Sequence, residues 1–135
     1  DFNRLNHFKV EEAGEKVAIL ALGDFYQRGE QLSAKIKAEL GFTPTLINPR
    51  FASGIDKELL ESLSERHQMV ITMEDGILSG GFGEKIASFY GSSDMKVKNY
   101  GLDKKFYDRY DPNELLKEVG MTPVQIIADI CNQIK

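Results

Sequence analysis

The chain has 135 residues, the size of one domain with a continuous hydrophobic core. Its apolar content of 41%, charged content of 28% and net charge of −4 describe a globular chain without the basic surface that attracts nucleic acids and anionic membranes. No apolar run reaches the roughly eighteen residues of a membrane span, the first residues do not resemble a secretory signal, and the single cysteine, Cys131, cannot form an internal disulfide. We therefore expect a cytoplasmic protein that binds neither nucleic acid nor membrane.

The chain opens with a polar segment, which is followed by a buried strand. Residues 1–15 are polar and weakly patterned, so we interpret them as a linker from a preceding domain and place one domain over residues 16–135. Residues 16–23 form a continuous apolar run that ends at a glycine, which is typical of a strand buried on both faces. Residues 24–40 place apolar side chains at near-helical spacing, which predicts a helix that ends at Gly41.

A second strand and a second helix follow. Residues 43–48 predict the strand, with Pro44 confined to its beginning. Asp56 is the expected N-cap of the helix, and Ile55 is expected to pack on Leu60 at the helix entry.

The second half of the chain continues the alternation of predicted strands and helices. Residues 68–74 predict a third strand, residues 83–90 a helix, and residues 96–102 a weaker strand. Capping boxes at residues 111–114 and 122–125, each with proline at the first helical position, predict two short helices. Alternating strands and helices indicate a mostly parallel sheet covered on both faces, so we predict an α/β fold with three layers. The pattern does not determine the strand order.

The glycine-rich segment between the third strand and its helix is the first candidate site. A strand, a tight turn and a helix start could cradle a phosphate, because a helix N-terminus offers free N–H groups. A P-loop would need lysine and a hydroxyl where Phe82 and Gly83 stand, and a dinucleotide fingerprint would need a third glycine where Ile86 stands. We therefore favour a packing turn, in which the glycines from Gly76 to Gly83 allow tight turning and close packing of the helix start on the sheet. An anion site and a contact with another domain or subunit are the alternatives.

Two carboxylates precede this segment. Glu74 and Asp75 could form a paired site for acid–base chemistry or a metal ion. Adjacent residues of a strand point to opposite faces of the sheet. We therefore expect one carboxylate to accept loop N–H bonds and the other to be solvated.

Histidine and cysteine are scarce. His7 lies in the polar leader, and His67 is expected in the last turn of a helix, where it would interact with the helix dipole. Two histidines and one cysteine do not suffice for a typical structural zinc site. We expect Cys131 to be buried on an apolar helical face rather than to act as a nucleophile.

Two basic features remain. Arg50 follows a strand end, where α/β sheets place ligands, but we expect it to bind its own loop rather than a carboxylate or phosphate. Residues 104–110 mix basic and aromatic side chains, as single-strand nucleic-acid sites do, but Asp103 and Asp108 dilute the charge. We expect this segment to anchor a loop against the core or a partner domain. The residues alone therefore predict no catalytic, cofactor-binding or metal-binding residue in this chain.

The order of several segments resembles one family. These segments are residues 16–23 (KVAILALG), 48–51 (NPRF), 70–76 (VITMEDG), 80–83 (GGFG) and 114–123 (ELLKEVGMTP). In this order they resemble the C-terminal domain of 1-deoxy-D-xylulose-5-phosphate synthase, a transketolase-like family, and the resemblance covers nearly the whole chain. It implies a three-layer sandwich around a five-stranded mixed sheet with one antiparallel strand.

The resemblance also implies a role within a larger enzyme. Members of this family condense pyruvate with glyceraldehyde 3-phosphate, release carbon dioxide and so begin isoprenoid synthesis, with thiamine diphosphate and Mg²⁺ as cofactors. In this family the cofactor and the catalytic residues belong to the preceding domains, and the enzyme is a homodimer. The implied partners are therefore the preceding domains of the parent chain and a second copy. A stand-alone module for small molecules or anions, and the equivalent domain of a transketolase or of a 2-oxo acid dehydrogenase β subunit, are the alternatives.

Overall fold

The structure is a computed structural model, and it describes residues 8–22, 25–49, 56–75, 82–102 and 122–134. Strands and helices alternate along this part of the chain. The strands are β1 (Lys9–Glu12), β2 (Lys16–Ala21), β3 (Thr45–Asn48), β4 (His67–Asp75) and β5 (Lys96–Leu102). The helices are α1 (Tyr26–Leu40), α2 (Lys57–Leu63), α3 (Phe82–Tyr90) and α4 (Pro123–Gln133).

The strands form one five-stranded sheet in the order β1-β3-β2-β4-β5. Strands β2 to β5 are parallel to one another, and β1 pairs with β3 in the antiparallel direction. At the centre of the sheet Ile19 pairs with Leu46 on one side and with Ile71 on the other. The predicted α/β class with a mixed, mostly parallel sheet is confirmed.

Each face of the sheet is covered by two of the described helices. Strand β2 alternates Val17, Ile19 and Ala21 towards one face with Ala18 and Leu20 towards the other, and all five are buried. The first face packs against α1 and α4 through Leu32, Ile36, Ile126, Ile127 and Ile130. The second packs against α2 and α3 through Leu60, Leu63, Phe82, Ile86 and Tyr90. Among the described helices, none combines the length and the apolar character that crossing a bilayer requires.

The predicted helix boundaries have clear local causes. Helix α1 ends at Gly41, whose φ of 79° lies in the left-handed region that favours glycine. Asp56 caps α2 by accepting the Leu59 N–H. Thr122 and Gln125 form the expected capping box at the start of α4. The other predicted capping box, at residues 111–114, and the expected Ile55 contact lie outside the described residues.

One strand lies where the sequence predicts none. Residues 9–12, which the polar pattern assigned to a linker, form β1 at the edge of the sheet. An edge strand that is exposed to solvent tolerates charged side chains, so its sequence lacks the apolar run that marks a buried strand. Because β1 pairs Lys9 with Asn48, at the end of β3, the chain enters the sheet at the carboxyl edge of the parallel strands.

Candidate functional site

The strand order reverses between β2 and β4. From β2 the chain moves outwards to β3, then crosses back to β4 and continues to β5. Open α/β sheets bind ligands at the carboxyl ends of the strands beside such a reversal. The candidate site therefore lies near Ala21 and Asp75, the last residues of β2 and β4. There the Leu22 N–H donates to the Met73 carbonyl over 2.9 Å and joins the two strand ends.

Glu74 connects the end of β4 with the start of α3. It is 8% exposed, and its Oε2 accepts the backbone N–H of Gly83 over 3.2 Å. The first N–H groups of a helix have no partner within the helix, and the helix dipole favours a negative charge beside them. The Glu74 carboxylate thus occupies a position at which an anionic ligand would meet this helix start. The expectation that one carboxylate accepts such a bond is confirmed for Glu74.

Gly83 brings the first turn of α3 into close contact with the sheet. A β-carbon at this position would lie 2.7 Å from Cγ of Asn99 and 2.9 Å from Oγ1 of Thr72. These two side chains are themselves joined, because the Thr72 hydroxyl donates to Oδ1 of Asn99 over 2.7 Å. The predicted role of glycine in close packing is confirmed at Gly83.

Several predicted features lie outside the described residues. They are His7, Arg50, the glycines at 76 and 81, and the basic and aromatic segment 104–110. Strand β4 continues through Asp75, so both members of the Glu74–Asp75 pair belong to a strand. Adjacent residues of one strand are unfavourably placed to form a paired-carboxylate site.

His67 lies at the opposite edge of the sheet. It is the first residue of β4 rather than part of the last turn of α2, because α2 ends at Leu63 and a turn follows. The expected interaction with the helix end nonetheless occurs, since Nδ1 lies 2.9 Å from the Leu63 carbonyl oxygen. Nε2 lies 2.7 Å from Oγ1 of Thr45. Burial lowers the pKa of His67 below its ordinary value of 6.5.

Cys131 is exposed, so the prediction that it is buried was wrong. The buried face of α4 is formed by Ile126, Ile127 and Ile130. Cys131 follows Ile130 directly, and one residue turns the helix by about 100°, which carries this side chain away from the sheet. Because apolar residues lie near Cys131 in the sequence, the sequence pattern does not show that its side chain lies on the exposed side of α4.

Two surface grooves lie at the amino ends of the parallel strands. One, of about 560 Å³, is lined by residues before β2, β3 and β4, namely Ala13, Gly14, Glu15, Lys37, Gly41, Phe42, Thr43 and Arg66. The other, of about 570 Å³, is lined by Ser64, His67, Gln68, Ser93, Asp94, Met95 and Lys96. Within the described ranges, no three His, Cys, Asp or Glu side chains are grouped so that they could hold a metal ion. Neither groove therefore has the donors of a metal centre.

The contact between His67 and Thr45 has no signal in the sequence. The two residues lie 22 positions apart in the chain and come together only because β2, β3 and β4 begin at the same edge. A histidine near a threonine in space has no signature in a single sequence. By contrast, two acidic residues before a glycine-rich segment do predict that a carboxylate accepts an N–H there, as Glu74 does from Gly83.

Known proteins resemble this chain along most of its length. The 1-deoxy-D-xylulose-5-phosphate synthase of Shouchella clausii (strain KSM-K16) is 33% identical over 132 residues, which cover 96% of this chain and 21% of that protein. The synthase of Clostridium perfringens (strain 13 / Type A) is 38% identical over 115 residues, 84% of this chain and 18% of that protein. The chain thus spans about a fifth of the length of these relatives.

A solved structure shows the same fold. A split-gene transketolase, described as an inactive beta4 tetramer, superposes with a TM-score of 0.75 at 24% identity and covers 95% of this chain and 42% of that one. The sequence model of the family named "Transketolase, C-terminal domain" matches residues 6–126, which include all five strands and the start of α4. The chain therefore belongs to the transketolase C-terminal domain family.

Proposed function

We propose that this chain is the C-terminal domain of a 1-deoxy-D-xylulose-5-phosphate synthase, a transferase of the transketolase type. The observation that carries the proposal is the extent of the similarity, since relatives with that name match up to 96% of this chain at about one third identity. The parent enzyme would condense pyruvate with glyceraldehyde 3-phosphate and supply precursors of isoprenoids. It would act in the cytoplasm.

In this proposal the chain supports catalysis without carrying it. The parent would use thiamine diphosphate and Mg²⁺, and a diphosphate–magnesium site needs converging oxygen ligands. Among the described residues, no three acidic, histidine or cysteine side chains are grouped so that they could hold a metal ion. At the start of α3, Glu74 would also repel a diphosphate. We therefore assign cofactor binding to the preceding domains.

The partners would be the preceding domains of the parent chain and, in a homodimer, a second copy. The direction of β1 supports contact at the carboxyl edge of the sheet, because the chain enters there from its N-terminal side. Glu74 and Gly83 lie at the same edge, where they fix the start of α3 on the sheet. An edge at which this helix start is held against the sheet is suited to packing against a sister domain.

A chimera tests this function. The chain would replace the C-terminal segment of the Clostridium perfringens synthase, and formation of 1-deoxy-D-xylulose 5-phosphate would be compared with that of the same enzyme without any C-terminal segment. We expect the chimera to be active and the truncated enzyme to be inactive. Equal activity of the two would contradict the proposal. Activity restored only in a matching transketolase chimera would favour the transketolase alternative.

A binding measurement tests the assignment of cofactor binding to the preceding domains. Calorimetric titration of the isolated chain with thiamine diphosphate and Mg²⁺ should show no binding. Micromolar binding would mean that this domain holds the cofactor itself. Micromolar binding of inorganic phosphate alone would instead favour a stand-alone anion-binding module.

A further inference from the structure

The imidazole of His67 joins three segments at the amino edge of the sheet. Its Nδ1 lies 2.9 Å from the carbonyl oxygen of Leu63, at the end of α2. Its Nε2 lies 2.7 Å from Oγ1 of Thr45, at the start of β3. The same Oγ1 accepts the backbone N–H of Gly14, in the turn between β1 and β2, over 2.8 Å. Because β2 lies between β3 and β4, the ring reaches across the start of β2.

The chemistry of the partners fixes the direction of each hydrogen bond. A carbonyl oxygen can only accept, so Nδ1 of the ring carries a proton and donates to Leu63. In the neutral ring Nε2 is then an acceptor, and the Thr45 hydroxyl donates to it. The Thr45 oxygen remains free to accept the Gly14 N–H. Every group of this chain of bonds is satisfied while the ring is neutral.

A second proton on the ring reverses one of these bonds. Protonated Nε2 becomes a donor, so Oγ1 of Thr45 then faces two donors, and its own hydrogen needs another acceptor. Thr45 is only 3% exposed, so water does not readily supply one. Burial is also the main reason that the pKa of His67 is lowered, and Arg66 adds to it, whereas the Leu63 bond and Glu15 act in the opposite sense.

Charged groups of both signs face His67 from its own element and from those beside it. They are Glu15, Lys16, Arg66, Asp94 and Lys96. Of these groups, Arg66 opposes a second positive charge on the ring, and Glu15 favours it.

We propose that His67, Thr45 and Gly14 form an acid-sensitive latch that holds the turn between β1 and β2 on the sheet. With a neutral ring, the Thr45 hydroxyl is oriented so that its oxygen receives the Gly14 N–H. Protonation of the ring turns the hydroxyl hydrogen away from Nε2, and the turn loosens because this buried hydrogen then needs water as its acceptor. The neighbouring backbone bonds from Glu15 to Thr43 and from Lys16 to Arg66, both 2.8 Å, remain and confine the loosening to the turn.

The loosened turn has a defined consequence. Gly14 and its two neighbours, residues 13 and 15, form one wall of the groove before β3 and β4. The turn also fixes the end of β1, the strand through which the N-terminal part of the chain reaches the sheet. Acidification would thus widen this groove and weaken the attachment of the edge strand, without unfolding the central strands.

Amide hydrogen exchange of the whole chain, followed by NMR, tests the latch. Protection of the Gly14 amide, corrected for the intrinsic exchange rate, is compared between about pH 8 and about pH 5, the range in which histidines titrate. We expect it to fall by about tenfold, the factor that corresponds to the loss of one hydrogen bond, along the titration curve of the His67 ring. The Ile71 amide, in the centre of β4, should not change. Constant Gly14 protection through the His67 titration would overturn the proposal.

Variants separate the latch from other causes. His7→Gln removes the other histidine of the chain and should leave the pH dependence intact, and Thr45→Ser should retain it because the hydroxyl remains. Thr45→Val should give low, pH-independent protection of Gly14, and His67→Gln should abolish the pH dependence. If His67→Gln fails to fold, the comparison of Thr45→Ser with Thr45→Val tests whether the latch exists. A pH dependence that survives Thr45→Val, or that disappears in His7→Gln, would refute the latch.

Discussion

At the start of α3 a single glycine determines how closely the helix approaches the sheet. Gly83→Ala would place a methyl group within 2.7 Å of Cγ of Asn99 and 2.9 Å of Oγ1 of the fully buried Thr72. We expect the free energy of unfolding to fall by about 1–3 kcal/mol, the usual cost of overpacking. Urea unfolding measures it. If the variant kept the parental stability while a phosphate compound lost affinity, the packing role of this glycine would be wrong.

The matched control removes the group that the new methyl would meet. Asn99 is exposed, so Asn99→Ala removes no buried side chain and frees space above Thr72, but it also removes the acceptor of the buried Thr72 hydroxyl and therefore has a cost of its own. In the Asn99→Ala background, Gly83→Ala should lower the free energy of unfolding by less than it does in the parent. The coupling free energy between the two positions should be about 0.5 kcal/mol or more. Strictly additive effects would place the strain of Gly83→Ala elsewhere.

At the scale of elements, Asp56 ties β1 to α2. Its Oδ1 accepts the Leu59 N–H over 3.1 Å as the helix cap, and its Oδ2 accepts the buried Phe8 N–H over 3.0 Å. Asp56→Ala should cost about 1 kcal/mol for the cap and about 1–3 kcal/mol for the unpaired Phe8 N–H. Asp56→Ser keeps a capping oxygen, so it should retain the contribution of the helix cap but not that of the bond to the Phe8 N–H. Equal unfolding free energies for the two variants in urea would show that the cap contributes nothing.

Tyr100 joins β5 to α4 in the layer on the other face. Its hydroxyl donates to Oδ2 of Asp129, and burial, followed by this bond and the Asp129 charge, raises the pKa of Tyr100 above its ordinary value of 10.0. Above that pH the unfolded chain loses the proton while the folded chain keeps it, so stability falls as the pH rises. Tyr100→Phe removes this group, so the fall of the unfolding free energy with rising pH should become smaller by up to about 1.4 kcal/mol per pH unit.

Urea unfolding between about pH 10 and about pH 11 measures this slope. Burial raises the pKa of Tyr90 as well, and its hydroxyl donates to the Leu60 carbonyl, so Tyr90→Phe is the parallel variant on the opposite face. The double variant should show the shallowest decline. An unchanged slope in both single variants would mean that neither tyrosine controls the alkaline stability.

The parallel part of the sheet could be predicted from the sequence because its central strands are buried on both faces. Residues 17–21 and 69–73 are almost uninterrupted apolar runs, and the helices between strands carry local signals such as the Asp56 cap and Gly41. Strand β5 matches the prediction over its full length. Of the candidate site, the sequence predicts that one of two carboxylates accepts an N–H of the following segment, and the structure identifies the pair as Glu74 and Gly83.

Features that depend on distant residues could not be predicted in this way. The bond from Gly14 to Thr45 spans 31 positions, and the bond from Thr45 to His67 spans 22. The exposure of Cys131 depends on which side of α4 faces the sheet, and adjacent apolar letters do not show it. Edge strand β1 is polar because one side of it has no neighbouring strand.

The domain boundary is a property of the whole molecule, and the position of β1 makes it testable. A chain that begins at Lys16 would lose β1 and Phe8, which is 8% exposed and lies 5.9 Å from the Phe82 ring. Losing Phe8 alone should cost about 3–5 kcal/mol, and β3 would become a bare edge that pairs with other copies. We therefore expect a lower midpoint in urea and association in light scattering, whereas Val10→Lys, at a position 40% exposed, should change neither. A monomer that begins at Lys16 and unfolds at the parental urea concentration would instead support a linker over residues 1–15. Since Phe8 donates to Asp56 and packs on the first residue of α3, we expect the segment to belong to the domain.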